Sequence, residues 1–454
     1  MNLKISRVLH AGYIFEYNES TILFDPLFET PFSRNCYPYP SVRFDIDKIK
    51  QLKFSAIFIS HFHDDHCSFE SLNLIDRDTP IYIYCVYDEL FSLVHELGFK
   101  YVYKINLNES LFIGAIEIIG RKALDVDVDS IFHIKVAGLN VLNVVDSWID
   151  DETLELLAKT NSWDLILWPF QTMREIEVIT PLRSTSSDRQ LPDEWIHQLK
   201  ILKPKYIVPS SCQFIHEDWS WYNQSFFPIS YAIFQQEIEK KIPEICVLRM
   251  NPSESFILSK NSMKQGQALS WIVPIGKQDV DYQYDPHLKP PPTSLVAQCF
   301  KELTQAEAER VYKYCQDDLL LKYRMLSFEE ESYFCQERIW KLSIYDHCGG
   351  LVSFYYKIKT NSIELIRPVP DTELSWLTEI AISKLYAALE NGESLTSMYI
   401  RINDIKFSLE IEQIISEVDI VEDPLIRCLF NYSFASYQKS QLERIRSSFN
   451  KADI

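Results

Sequence analysis

Phe58-Ile59-Ser60-His61-Phe62-His63-Asp64-Asp65-His66 is the stretch that decides how this chain is read. With Ala56-Ile57 before it, it begins as a short apolar run of the kind buried in the middle of a sheet. It then leaves the strand as His-x-His-x-Asp-His. Three of the chain's ten histidines fall within these six residues, which sets the stretch apart from an ordinary solvated loop. His61 and His63, two apart in an extended segment, project to one side and can ligate one ion. Asp65 and His66, at the following turn, can reach a neighbouring ion. Two cations about 3.5 to 4 Å apart activate a water and stabilise the charge that develops when it attacks a phosphoryl or acyl centre.

Outward from this stretch, the first 260 residues read as strand clusters punctuated by helices, a layered α/β sandwich. Residues 8–17 and 20–25 form a predicted hairpin around Asn18-Glu19-Ser20. Strands are predicted at 81–86, 110–119, 130–136, 139–145, 165–168 and 206–208, and helices at 87–98, 151–160 and 195–202. The run Pro290-Pro291-Pro292 suits neither helix nor central strand. It places a proline-containing linker at 261–295, between an N-terminal domain (1–260) and a C-terminal α+β domain (296–454). In the latter, strands are predicted at 338–346, 351–358 and 362–367, helices at 304–321 and 373–390, and a mostly helical tail beyond.

Composition narrows the function. At 454 residues the chain exceeds one ordinary domain of about 100 to 200 residues. Its 46% hydrophobic and 24% charged residues are those of a globular protein. Against 64 Asp+Glu stand 45 Lys+Arg, a net charge of −19, which disfavours a nucleic-acid partner because phosphate binding needs clustered cations. The start has no signal-like apolar region and no transmembrane run occurs, so a cytoplasmic location is expected. The ten cysteines include no C-x-x-C pair and read as reduced core thiols.

The His-x-His-x-Asp-His motif after a strand resembles that of the metallo-β-lactamase superfamily. The opening His10-Ala11-Gly12-Tyr13-Ile14-Phe15-Glu16, followed by Ile22-Leu23-Phe24-Asp25-Pro26, looks like the branch with the ascorbate-6-phosphate lactonases and N-acyl-phosphatidylethanolamine phospholipase D. The resemblance covers about residues 1–260 and implies an αββα metallo-β-lactamase sandwich. It also implies a bridging carboxylate, matched by Asp146 at the end of Val141-Leu142-Asn143-Val144-Val145. A helix cap near Asp150 is the competing role for Asp146.

Two histidines of the family pattern have no counterpart. Where one is expected, the chain reads Asp125-Val126-Asp127-Val128-Asp129, and Asp127 is the preferred oxygen ligand among the three aspartates. The second falls at Val208-Pro209-Ser210-Ser211-Cys212, with Ser211, Cys212 and the nearby His216 as candidates. Zinc is the first expectation for one or two divalent ions, with iron or manganese favoured by oxygen-rich coordination.

The resulting expectation is a metal-dependent hydrolase acting on a phosphoester, lactone or amide of a small, anionic substrate. Its metal residues are His61, His63, Asp65, His66, Asp146 and Asp127. Asp65 doubles as a general base, and Arg174 and Arg183 contact the substrate anion. An iron-dependent oxidative enzyme and a non-catalytic metal-binding protein are the alternatives. The part of CMP-N-acetylneuraminate hydroxylase that shares this fold is also similar, but the Cys/His pattern of a Rieske cluster does not occur in this chain. The C-terminal domain, with Asn391-Gly392-Glu393-Ser394-Leu395-Thr396 after a helix, resembles sterol-carrier-like domains and is expected to bind or dimerise, so that a homo-oligomer is one expected state.

Overall fold

The computed structural model describes residues 2–183, 189–329, 332–430 and 433–452. Its N-terminal part is built on alternation. In Ala56–Ile59, Phe58 points into an apolar layer with Phe15, Phe24 and Phe132, while Ile57 and Ile59 point the other way, toward Leu90 and Val94 of a helix. A strand buried on both faces reads as a continuous apolar run, which is how this one appears in the sequence.

The first layer is an eight-stranded sheet. Leu3–Arg7, Tyr13–Tyr17 and Ser20–Phe24 form an antiparallel meander, extended in parallel by Ala56–Ile59, Ile81–Ile83 and Val102–Lys104. Ser255–Leu258 and Met263–Gln265 complete its other edge. The second layer has seven strands, in the order Cys246–Val247, Tyr206–Ser210, Leu165–Pro169, Leu139–Asn143, Ser130–Val136, Ile116–Lys122 and Ser110–Ile113. Among the described residues, the layer between the sheets contains no helical residue, whereas the outer faces pack on helices such as Asp88–Glu96 and Asp193–Leu202. This is the αββα sandwich expected from the motif. Parallel neighbours need crossover connections, and those helices supply them.

Three expectations shift. The hairpin at 8–17 is preceded by a further strand, Leu3–Arg7, and residues 8–12 turn between the two strands. Gly12 permits that turn, since a Cβ there would lie 2.7 Å from the Asp25 carbonyl oxygen. The segment expected as a linker at 261–295 is partly sewn into the sandwich: Met263–Gln265 extends the first sheet, and Ile272–Pro274 pairs with Val42–Phe44. The helix expected at 373–390 begins as a strand, Trp376–Ala381, running parallel to Arg338–Tyr345. Its Trp, Thr and Ile suit a buried pleated position, and sheet pairing decides between the two states.

The C-terminal module is a five-stranded sheet in the order Ser362–Ile366, Leu351–Lys359, Arg338–Tyr345, Trp376–Ala381 and Arg401–Ile402. Its helices include Gln305–Lys313 and Ile382–Asn391. The last helix, Ser436–Ala452, returns to the sandwich and packs on Phe69–Leu72 and Asp88–Glu96. Buried Gln438 donates to the carbonyls of Phe62 (2.8 Å) and Cys67 (3.0 Å), so it ties down the loop that carries the histidines.

Candidate metal centre

The strand ends converge on one rim. His61 to His66 leave Ala56–Ile59, Asp146 leaves Leu139–Asn143, Asp129 enters Ser130–Val136, and Asp25 follows Ser20–Phe24. His10 sits in the turn after Leu3–Arg7 at φ 54. Arg7, fully buried, holds that turn to the neighbouring strand end: its guanidinium donates to the carbonyls of His10 (2.6 Å) and Pro209 (2.6 Å).

Two adjoining groups of ligand atoms result. His61, His63 and Asp129 form the first; His66, Asp65 and Asp146, with His10, form the second. Asp129 Oδ1 lies 3.7 Å from His61 Nε2, and Asp146 Oδ1 4.0 Å from the same nitrogen. Both oxygens are buried and make no hydrogen bond. Asp146 Oδ2 reaches His66 Nε2 at 3.0 Å, so this carboxylate faces both groups. A buried carboxylate oxygen without a donor is costly unless a cation completes it. The donor set therefore fits divalent ions, and the Asp146 carboxylate stands between His61 and His66. Asp150, not Asp146, caps the following helix by accepting from the Thr153 N–H.

The second shell fixes the rings. Asp25 Oδ2 lies 3.1 Å from His66 Nδ1, and the carboxylate also accepts from the Ser60 N–H (2.8 Å) and hydroxyl (2.7 Å). With its Nδ1–H given to Asp25, His66 presents a lone pair at Nε2 to the centre. His10 differs. The Cys212 N–H donates to its Nδ1 at 2.9 Å, a fixed backbone donor that assigns the proton of the neutral ring to Nε2. Nε2 faces Asp65 Oδ2 at 3.2 Å, so His10 serves the cluster as a hydrogen-bond donor although it lies among candidate ligands.

The electrostatics are those of a cation cradle. Burial holds His61 well below the ordinary imidazole range, with His66 and His63 adding to it, which keeps its lone pair available. Burial alone would lower His66 as well, but Asp146 and Asp65 outweigh it and hold the ring well above its usual value, so the carboxylates that would favour an ion at Nε2 favour a proton there in its place. Asp129 is pushed up to about 6 by burial and by the Asp146 charge. For Asp65, burial is outweighed by His66 and His10, which lower it below the carboxylate range. Asp65, which the sequence offers both as a ligand and as a general base, stands within the second ligand group. Asp64, lining the same cavity and accepting from Ser33 (2.7 Å), is pushed up to about 6 by burial and by Asp65.

Other expected residues are placed differently. Asp127 is exposed and outside both groups, and Asp129 occupies the position beside His61 and His63. An extended reading of 125–129 cannot separate the three aspartates, but a turn there leaves Asp129 at the strand entry. Ser211 Oγ bonds the Ser210 carbonyl, Cys212 contributes its backbone N–H, and His216 packs among Phe214, Tyr222 and Phe226 with its imidazole driven down to about 3 by burial. In space, His10 stands beside the strand end where the family pattern placed a histidine. Arg174 pairs with Glu177 at 3.1 Å and Arg183 with Glu412 at 3.1 Å. Neither lines the cavity over the centre. Arg7, Glu175 and Gln438 escaped the sequence reading because only tertiary packing brings them to the rim.

No protein-family model matches the chain, and no curated protein matches it in sequence. Among solved structures it is similar to Igni18, a metallo hydrolase from Ignicoccus hospitalis, at 16% identity and a TM-score of 0.39, over 57% of this chain and 99% of that one. The metallo-β-lactamase fold protein YhfI from Bacillus subtilis is matched at 12% identity and a TM-score of 0.38, over 57% of this chain and 99% of that one. CmlA, a diiron β-hydroxylase from Streptomyces venezuelae, is matched at 17% identity and a TM-score of 0.39, over 57% of this chain and 53% of that one. The chain thus spans about half of CmlA. The chemistry of the centre rests on this chain's own residues.

Proposed function

We propose that the protein is a metal-dependent hydrolase of the metallo-β-lactamase superfamily, of the branch its opening hairpin resembles, that cleaves a phosphoester, lactone or amide. The observation that carries this reading is the pair of orphaned, buried oxygens of Asp129 and Asp146 between two histidine groups. His61, His63 and Asp129 would hold one ion and His66 and Asp65 another, with Asp146 shared. Divalent ions there supply Lewis acidity and lower the pKa of water. His10 donates its Nε2–H to Asp65 and fixes that carboxylate's orientation. Asp64, which is not in either ligand group, accepts the proton from the attacking water.

A second reading, iron-dependent oxidation on the same scaffold, is favoured by one observation. Two histidines and a carboxylate in the first group are a donor set used by non-haem iron oxygenases, while zinc hydrolases also use it. Protein purified without added metal separates the two. Zinc with turnover of p-nitrophenyl esters, phosphoesters or simple lactones supports the hydrolase. Iron with oxygen consumption and no hydrolysis supports the oxidase. A folded protein that binds neither metal contradicts both.

A further inference from the structure

The cavity above the centre has a volume of about 940 Å³, the size of a small-molecule site. Both modules build it. The sandwich supplies the metal loop and Glu175, and the C-terminal module supplies segments 392–396 and 433–438 together with Phe430. Among the described residues, no lysine or arginine lines it. An anionic substrate would have to be held without the guanidinium fork that usually meets such groups.

The carboxylates of the lining are not equivalent. Asp65, Asp129 and Asp146 belong to the centre, and Asp64 accepts from Ser33. Glu393 lies 3.6 Å from Lys384 and accepts from the Ser397 hydroxyl. Glu175 is left over. Its carboxylate is accessible to water within the cavity and, among the described residues, makes no hydrogen bond or ion pair. Enclosure by the walls raises its pKa, with the Asp65 charge adding to the shift and His63 opposing it. The same cavity carries a cluster of three rings, Phe62, Tyr87 and Phe434, with centroids 4.5 Å apart for Tyr87 and Phe434 and 4.9 Å for Phe62 and Phe434. Such faces favour apolar bodies and cations alike.

We propose that the substrate is a small molecule bearing a protonated amine, seated on Glu175 with its aromatic or apolar body against Phe62, Tyr87 and Phe434. This rests on reading the cavity as the substrate site of the centre, and it replaces the anionic substrate expected from the sequence. The test uses the full chain as purified and three probes of one shape: 2-phenylethylamine, 2-phenylethanol and phenylacetate, titrated by calorimetry at pH 7. The amine should bind more tightly than the alcohol by about tenfold or more, because a hydrogen bond to a charged group is the stronger kind. Glu175→Gln should reduce the amine to the level of the alcohol and leave the alcohol unchanged. Tighter binding of phenylacetate, an amine preference that survives in Glu175→Gln, or no binding of any probe each overturns the proposal. Metal content measured on the same sample keeps the two readings apart. Absent metal with an intact, Glu175-dependent amine preference removes the hydrolase and leaves this inference standing, whereas bound metal without the preference removes only this inference.

Discussion

Gln438→Leu asks whether the C-terminal helix is part of the metal centre or merely leans on it. Gln438 is 1% exposed, and its amide donates to two carbonyls, Phe62 and Cys67, that bracket His63 to His66. Leucine keeps much of the volume and removes both donors. Each buried carbonyl left without a partner costs about 1 to 3 kcal/mol. The Phe62 end borders the cavity, where water can partly replace the amide, so about 2 to 4 kcal/mol is expected for the pair. Apparent affinity falls by the fraction of molecules whose loop holds the binding geometry. With tenfold per 1.4 kcal/mol, the loss reaches about thirtyfold at the lower figure and about a thousandfold at the upper, if the freed loop leaves that geometry. Competition against a chromophoric chelator, with zinc and with ferrous iron, measures it. Lys439→Ala is the control, since its bridge to Glu89 joins two exposed side chains and is worth about 0 to 1 kcal/mol. Equal metal affinity in Gln438→Leu, Lys439→Ala and the unaltered protein would refute the clamp.

Three further outcomes are expected. Asp25→Asn, which weakens the acceptor of the His66 Nδ1–H, should lower metal affinity by about 10- to 100-fold in the same competition assay. His10→Ala should keep the metal stoichiometry, read by elemental analysis, and lower turnover; loss of an ion would make His10 a ligand despite the Cys212 N–H on its other nitrogen. Asp64 acts as a proton acceptor only when ionised, so activity should fall as pH drops through about 6, or lower once cations sit beside it, and Asp64→Asn should lower turnover and abolish that limb of the pH profile.

What the sequence reveals divides along the chain. The His-x-His-x-Asp-His spacing and the apolar strand before it lie within nine residues, so local pattern was enough to place His61, His63, Asp65 and His66 together and to expect the sandwich. Asp146 followed because it too ends a short apolar strand. Asp129 was hidden among three alternating aspartates, whose separation depends on a turn that alternation does not encode. His10 was visible as a residue but not as part of the centre. Its approach to Asp65 and Asp146 depends on Gly12 and on Arg7 bonding the carbonyls of residues 10 and 209. The two arginines illustrate the opposite error. A cation in a polar loop suggests an anion site, yet Arg183 reaches Glu412, 229 positions away, and serves to join the modules. Gln438 and Glu175 carry no local signal, since each gains its meaning from a segment remote in sequence.

On the function proposed here, His61, His63 and Asp129 adjoin His66, Asp65 and Asp146 in order to hold metal. Elemental analysis of the full chain purified without added metal, beside His61→Ala prepared identically, tests it most directly. Two equivalents of a transition metal per chain are expected in the unaltered protein, with at least one lost in His61→Ala while the circular dichroism spectrum is retained. Equal metal content in the two proteins, or none in either, would contradict the account.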